Sequence, residues 1–69
     1  MKTETLHIEG MTCNHCVMSV RRRLAQIDHL DVEDVRIGSA VVRYDEGEIE
    51  ASALDHAVAE AGFTVTRHE

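Results

Sequence analysis

The sequence predicts an α+β fold whose elements follow the order strand, helix, strand, strand, helix, strand. Two observations support this prediction. Apolar residues alternate with polar ones in four short segments, as in half-buried strands, and they recur every three or four residues in two longer segments, as in amphipathic helices. The chain has 69 residues, so we expect residues 1–69 to form one domain.

The first strand and the first helix are predicted on either side of Gly10. Leu6 and Ile8 face one side of a strand that ends at this glycine. A helix is then expected from about Asn14 to Ile27, with Thr12 as its N-cap, because a threonine hydroxyl can accept a hydrogen bond from a first-turn amide. The apolar stripe of this helix consists of Val17, Val20, Leu24 and Ile27.

The second half of the chain predicts a hairpin. Gly38 and Ser39 are the expected turn, with glycine first as in a type II′ turn. The inward-facing residues are Val35 and Ile37 in one strand, and Ala40, Val42 and Tyr44 in the next.

The last helix and strand follow a polar connection. Glu50 or Ser52 is expected to cap the helix, and Gly62 to end it from the C′ position. Phe63 and Val65 are expected to face inward in the final strand. The second helical stripe consists of Leu54, Ala57, Val58 and Ala61.

This order of elements, in a chain this short, is that of a ferredoxin-like βαββαβ sandwich: a four-stranded antiparallel sheet with two helices on one face. The other face of the sheet is left to solvent. Each predicted strand therefore alternates between apolar and polar residues instead of being apolar throughout.

The composition excludes several classes of function. Lys and Arg number 7 against 13 Asp and Glu, a formal net charge of −6, which argues against a general binder of nucleic acid or of anionic membranes. No apolar stretch approaches the roughly 20 residues of a membrane helix, and the N-terminus lacks the apolar region of a secretory signal. We therefore expect a cytoplasmic protein without stable membrane insertion.

The chemistry is concentrated at Cys13-Asn14-His15-Cys16, where the first strand leads into the first helix. Cysteines three residues apart at a helix start are close enough for both sulfurs to reach one ion. Unpaired first-turn amides and the helix dipole favour the thiolate form. Such a pair can bind a soft metal ion or exchange disulfides.

Three interpretations of this pair differ in what else they require. A thioredoxin-like redox module needs a longer chain and a proline facing the dithiol, and this sequence contains 0 Pro. A structural zinc site needs four ligands, and His15 is expected to point into solvent. An exposed two-thiolate site suits Cu(I), a soft ion that accepts two or three ligands.

The sequence resembles the heavy-metal-associated domain family, and within it the bacterial copper chaperones. The resemblance covers essentially the whole chain, and its strength is that motif, position, length and topology agree. The segments that carry it are residues 10–16 (Gly-Met-Thr-Cys-Asn-His-Cys), residues 40–45 (Ala-Val-Val-Arg-Tyr-Asp) and residues 60–63 (Glu-Ala-Gly-Phe).

The resemblance implies a carrier rather than an enzyme. It implies Cu(I) bound by Cys13 and Cys16, Met11 buried beneath the loop, and Phe63 shielding the site. The implied partners are a copper-transporting P-type ATPase, or its metal-binding domain, and a copper-responsive regulator. The implied state is a monomer, or a homodimer bridged by metal. The alternatives are a thiol-disulfide redox module and a carrier of Hg(II) or Zn(II).

Two further groups of charged residues are interpreted as surface. Arg21–Arg23 cannot share one helix face, so they are expected to form a solvated helix back; docking of an acidic partner on one or two of them is the functional alternative. The remaining histidines lack a shared ligand spacing and are expected on the surface: His7, His29, His56 and His68.

Overall fold

The computed structural model describes residues 1–69 and has the predicted order of elements. The strands pair in the order β2-β3-β1-β4, and all three pairings are antiparallel. The predicted ferredoxin-like fold is therefore confirmed. The elements are β1 (Lys2–Glu9), α1 (Asn14–Ala25), β2 (Leu30–Arg36), β3 (Ser39–Tyr44), α2 (Ala51–Glu60) and β4 (Thr64–His68).

The core lies between the helices and one face of the sheet. It consists mainly of aliphatic side chains, because the chain has one Phe, one Tyr and no Trp. Neither helix is long and apolar enough to cross a membrane. The apolar residues with no exposed surface are Leu6, Val20, Leu24, Val42, Leu54 and Val58.

Helix α1 begins at Asn14 as predicted, but its N-cap residue and its C-terminal end differ from the prediction. Cys13, not Thr12, occupies the N-cap position, and no side chain caps the helix. The helix ends at Ala25 because its last amides turn to carbonyls three residues back, as in the Ile27 N to Leu24 O bond of 3.1 Å. Ile27 therefore still packs against the core although it lies beyond the helix.

The predicted turn between β2 and β3 was wrong by one residue. Ile37 and Gly38 form the turn, and Arg36 pairs with Ser39. Glycine is second, with φ +91°, and a positive φ at the second central residue is typical of a type II turn rather than type II′. Ile37, expected to face inward, is consequently 55% exposed.

Helix α2 ends as predicted. Gly62 has φ +97° and occupies C′, where its amide donates to the Ala59 carbonyl (3.0 Å) and the Phe63 amide donates to the Val58 carbonyl (3.1 Å). This pair of bonds defines a Schellman motif. At the other end Glu50 is the N-cap residue, but its side chain makes no capping hydrogen bond.

The prediction that His68 lies on the surface was wrong. Its neighbour across the sheet, Leu6, faces the core, and so does Ile8, which pairs with Val65. Because Val65 and His68 are three residues apart, strict alternation would put them on opposite faces. A register shift between His7 and Ile8 accommodates the extra residue of β4 and turns His68 inward.

The inward face also buries a carboxylate. Glu4 is 4% exposed and accepts hydrogen bonds from the Tyr44 hydroxyl (3.0 Å) and from His68 Nδ1 (3.0 Å), while Lys2 Nζ lies 3.3 Å away. Burial alone raises the pKa of Glu4, but these donors outweigh it and hold the pKa below its usual range.

Replacing Gly62 by alanine should lower the free energy of unfolding by about 1 kcal/mol, because an L-residue is strained at positive φ. Nothing lies within 4 Å of a Cβ at this position, so the strain alone is measured. Urea unfolding followed by circular dichroism checks the value. Gly62→Asn is the control, since asparagine adopts a left-handed backbone more readily than alanine; equal losses in both variants would contradict the conformational explanation.

Candidate metal centre

The two cysteines lie at the exposed N-terminus of α1. The loop of residues 10–13 connects β1 to this helix; Cys13 is its N-cap residue and Cys16 lies in its first turn. Cys13 is exposed, Cys16 is half-buried, and both are free thiols. Their sulfurs are 3.6 Å apart. The sequence prediction that the spacing brings both sulfurs together is reproduced in this geometry.

The loop begins at a crowded point. Gly10 has φ +98°, and a Cβ there would lie 3.2 Å from Cδ1 of Phe63. Glycine therefore meets two demands, a left-handed backbone and close approach by an aromatic ring. Phe63 is half-buried and packs against the core, so its ring lies in a fixed position beside the start of the loop.

Met11 anchors the loop from below. Its side chain is 7% exposed and belongs to the core cluster. A flexible thioether fills irregular space well. The expectation that Met11 is buried beneath the loop is confirmed.

Backbone groups make the site favourable for negative charge. The N–H groups of Thr12 and then Cys13 lower the pKa of the Cys16 thiol, and this effect outweighs desolvation, which raises it. The first turn of α1 contains no acidic side chain that would repel a thiolate. Cys16 is therefore the cysteine that this structure prepares for ionisation.

No third metal ligand of the usual types accompanies the two sulfurs. No group of three or more His, Cys, Asp or Glu side chains is positioned to hold a metal ion anywhere in residues 1–69. His15, between the cysteines in sequence, is exposed. The arrangement is thus an open pair of soft donors rather than a closed cage.

The charged residues outside the loop follow the prediction in part. Arg21–Arg23 are exposed, and Arg23 Nη1 lies 3.4 Å from Glu60 Oε2 of α2. His29 and His56 are exposed as expected, and His7 is half-buried on the open face of the sheet. None of these side chains joins the cysteines.

One contribution to the site could not be identified from the sequence. The amides that act on the Cys16 sulfur are those of Thr12 and Cys13, in the loop just before α1, and the Thr12 side chain does not cap the helix as expected. Backbone donors carry no residue signature, so the sequence could not indicate which loop amides point at the sulfur.

Known proteins resemble this chain over nearly its whole length. Residues 5–64 match the heavy-metal-associated domain family. A relative from Staphylococcus aureus (strain JH9), a copper chaperone CopZ, is 34% identical over 67 residues, which cover 94% of this chain and 98% of the relative.

Solved structures agree with the fold. A CopZ metallochaperone has a TM-score of 0.82 and 33% identity, covering 94% of this chain and 100% of its own. A copper-binding domain from HMA7, a P-type ATPase, has a TM-score of 0.85 and covers 100% of this chain and 92% of its own. At 24% identity, the second likeness concerns the fold alone.

In a Cys13→Ser variant, Cys16 should titrate below about 8.5, the usual pKa of a free cysteine, because the backbone amides remain. The ultraviolet absorbance of the thiolate, followed against pH, gives the value. The same variant unfolded in urea is the control and should titrate near the usual pKa. Equal values in the folded and unfolded protein would show that the amides do not act on this sulfur.

Gly10→Ala should destabilise the protein more than Gly62→Ala, by about 1 kcal/mol or more beyond the shared backbone strain. The two glycines have nearly equal φ, +98° and +97°, but only at Gly10 would the new Cβ meet an atom, Cδ1 of Phe63. Urea unfolding of both variants measures the difference. A Phe63→Ala change should remove most of it; an unchanged difference in that background would contradict the contact.

Proposed function

This chain belongs to the heavy-metal-associated domain family, and from that premise we propose that residues 1–69 form one domain that carries Cu(I) between the sulfurs of Cys13 and Cys16. Copper is the cargo of this carrier, which catalyses no covalent reaction. The single observation on which the proposal depends is the pair of sulfurs, 3.6 Å apart, at the N-terminus of α1.

The sulfur separation suits one shared ion. Two metal–thiolate bonds of about 2.3 Å span at most about 4.6 Å, so both sulfurs reach a common centre without backbone rearrangement. Because Cys13 is exposed, an ion held by the two sulfurs would have one side open towards solvent.

The donor set favours Cu(I) among the candidates. Thiolates select soft ions, and two of them leave a Zn(II) ion two ligands short of its usual four. No further His, Cys, Asp or Glu completes the shell. The family resemblance, including a relative named as a copper chaperone, supports the same ion.

Transfer follows from the open side of the ion. A thiolate of the partner forms a bond to Cu(I) before one of the two cysteine bonds breaks, and a second partner thiolate then replaces the other. Copper stays in the +1 state throughout. Each departing cysteine of this chain takes up a proton from solvent or keeps its charge at the helix N-terminus.

The partner we propose is a copper-transporting P-type ATPase, through its metal-binding domain, or a copper-responsive regulator. Either would present thiolates to the loop. Exposed arginines on α1, Arg21 and Arg22, offer positive charge to an acidic surface beside such a site. Thiol chemistry requires reduced cysteines, so the proposed compartment is the cytoplasm. The carrier acts as a monomer, and two copies can share one ion through four thiolates.

A thiol-disulfide module is the second candidate, and the same geometry favours it to a lesser degree. The sulfurs need to approach from 3.6 Å to about 2.05 Å to form a disulfide, a change that side-chain rotation can supply. The chain has 0 Pro and so lacks the residue that faces the dithiol in thioredoxin-like proteins. Hg(II) and Zn(II) remain alternative cargoes for the same loop.

Competition titration tests the proposal. The reduced protein should retain Cu(I) against a calibrated high-affinity competitor. Cys13→Ser and Cys16→Ser should each weaken retention at least about a hundredfold, more than the loss of an outer-shell partner costs, because each removes one of only two donors. Met18→Ser is the matched control: it removes a sulfur from an exposed position on the same helix and should leave retention unchanged.

Two outcomes would overturn the copper assignment. One is selective retention of Zn(II) or Hg(II) while Cu(I) is lost to the competitor at equilibrium. The other is catalytic reduction of a disulfide substrate by the metal-free protein, which would favour the redox module. Measuring the reduction potential of the dithiol places the second result on a quantitative scale.

A further inference from the structure

A separate group of ionisable side chains lies towards the end of the sheet opposite the proposed metal loop, which is the loop of residues 10–13. His68, near the end of β4, is placed between two carboxylates from different elements. Its Nδ1 lies 3.0 Å from Oε2 of Glu4 in β1, and its Nε2 lies 2.6 Å from Oδ1 of Asp55 in α2. The imidazole thus bridges the sheet and a helix.

The protonation state of His68 follows from this geometry. A neutral imidazole has one N–H and one lone pair, whereas an imidazolium has two N–H groups. Because both ring nitrogens face carboxylate oxygens, only the imidazolium can donate to both. The neutral ring would direct a lone pair at one of the carboxylates, and that contact would become repulsive.

The bulge in β4 is what creates the bridge. Without the register shift opposite His7 and Ile8, alternation from Val65 would turn His68 to the open face of the sheet. Bulges re-aim side chains in this way. The side chain of His68 is 27% exposed. Its partly buried position between Glu4 and Asp55 therefore depends on the bulge.

Other charges surround the bridge on every packed element. Glu4 is also held by the Tyr44 hydroxyl from β3 and by Lys2 from its own strand, so two further donors remain beside it when His68 is neutral. Lys2 in turn reaches Glu46, in the connection after β3. Next to His68 in the chain, Arg67 pairs with Glu69, which also lies 3.3 Å from His7 Nε2.

We propose that His68 is a pH-operated latch that fastens the end of β4 to β1 and α2 when it is protonated and releases it when the proton is lost. Beyond His68 the only backbone bonds between β1 and this end of the chain join Thr5 and Glu69, at 2.7 and 2.8 Å. These two bonds are therefore the part of the sheet that the latch protects.

The sign of the pH effect is fixed by the partners. The hydrogen bond to Glu4 raises the pKa of His68 above its ordinary 6.5; desolvation opposes this, and the bond to Asp55 adds to it. A raised pKa means that the latch stabilises the fold fully below pH 6.5 and that this stabilisation is lost as the pH rises through the raised value. Glu4 imposes the opposite limit, because its lowered pKa makes its contribution disappear in acid.

Nuclear magnetic resonance of the metal-free, reduced protein tests the latch. The ring resonances of His68 should titrate above pH 6.5. Over the same pH range the amides of Thr5 and Glu69, corrected for intrinsic exchange, should lose protection several-fold, while amides of the β1–β3 ladder keep theirs. Asp55→Asn should lower the His68 midpoint, and His68→Gln should abolish the pH dependence at both amides.

His56→Gln is the matched control. His56 is an exposed histidine of α2 that pairs with Glu60 across one helical turn, so its removal changes the charge without touching the latch; the pH dependence at Thr5 and Glu69 should persist in this variant. The proposal is overturned if His68 titrates at or below its ordinary value, or if protection at Thr5 and Glu69 does not follow its titration. These measurements do not involve copper binding, so their outcome is independent of the proposed function.

Discussion

The central position of β1 determines how firmly the metal loop is held. This strand pairs with β3 on one side and β4 on the other, and it leads into the loop within one residue of Gly10. The loop is fixed further by buried Met11 below it and by the Phe63 ring beside it. Cys13 can therefore be exposed to solvent while the loop that carries it is held at its base by Met11 and Phe63.

The domain separates its two kinds of polar chemistry by the length of the sheet. At one end lie the two sulfurs, and backbone amides favour the thiolate form of Cys16. At the other end, the buried Glu4 carboxylate is surrounded by donors from three side chains: Lys2, Tyr44 and His68. A buried charge is costly unless it is paired. Removing any one of these donors should therefore lower the free energy of unfolding more than it changes the metal loop.

Periodicity and spacing predicted most of the fold and the pair of cysteines. They failed where the backbone departs from a regular repeat: at the Ile37–Gly38 turn, at the last turn of α1, and at the bulge that turns His68 inward. Glu4 is two residues from Leu6 and so lies on the same face of β1, which could have identified it as inward-facing. In an acidic chain, however, an acidic residue is readily interpreted as a surface residue. The bulge has no comparable signal, because it depends on how β4 is paired rather than on which residues it contains.

The antiparallel strand order also determines where the polypeptide enters and leaves the domain. Lys2 pairs with Tyr44 at the start of β1, and Glu69 bonds to Thr5 at the end of the chain, so both termini lie far from Gly10 and the sulfurs. Any polypeptide joined at either terminus would leave in the direction away from the loop. The architecture is therefore suited to being tethered, duplicated in tandem or fused to a larger protein without obstructing the surface around Cys13 and Cys16.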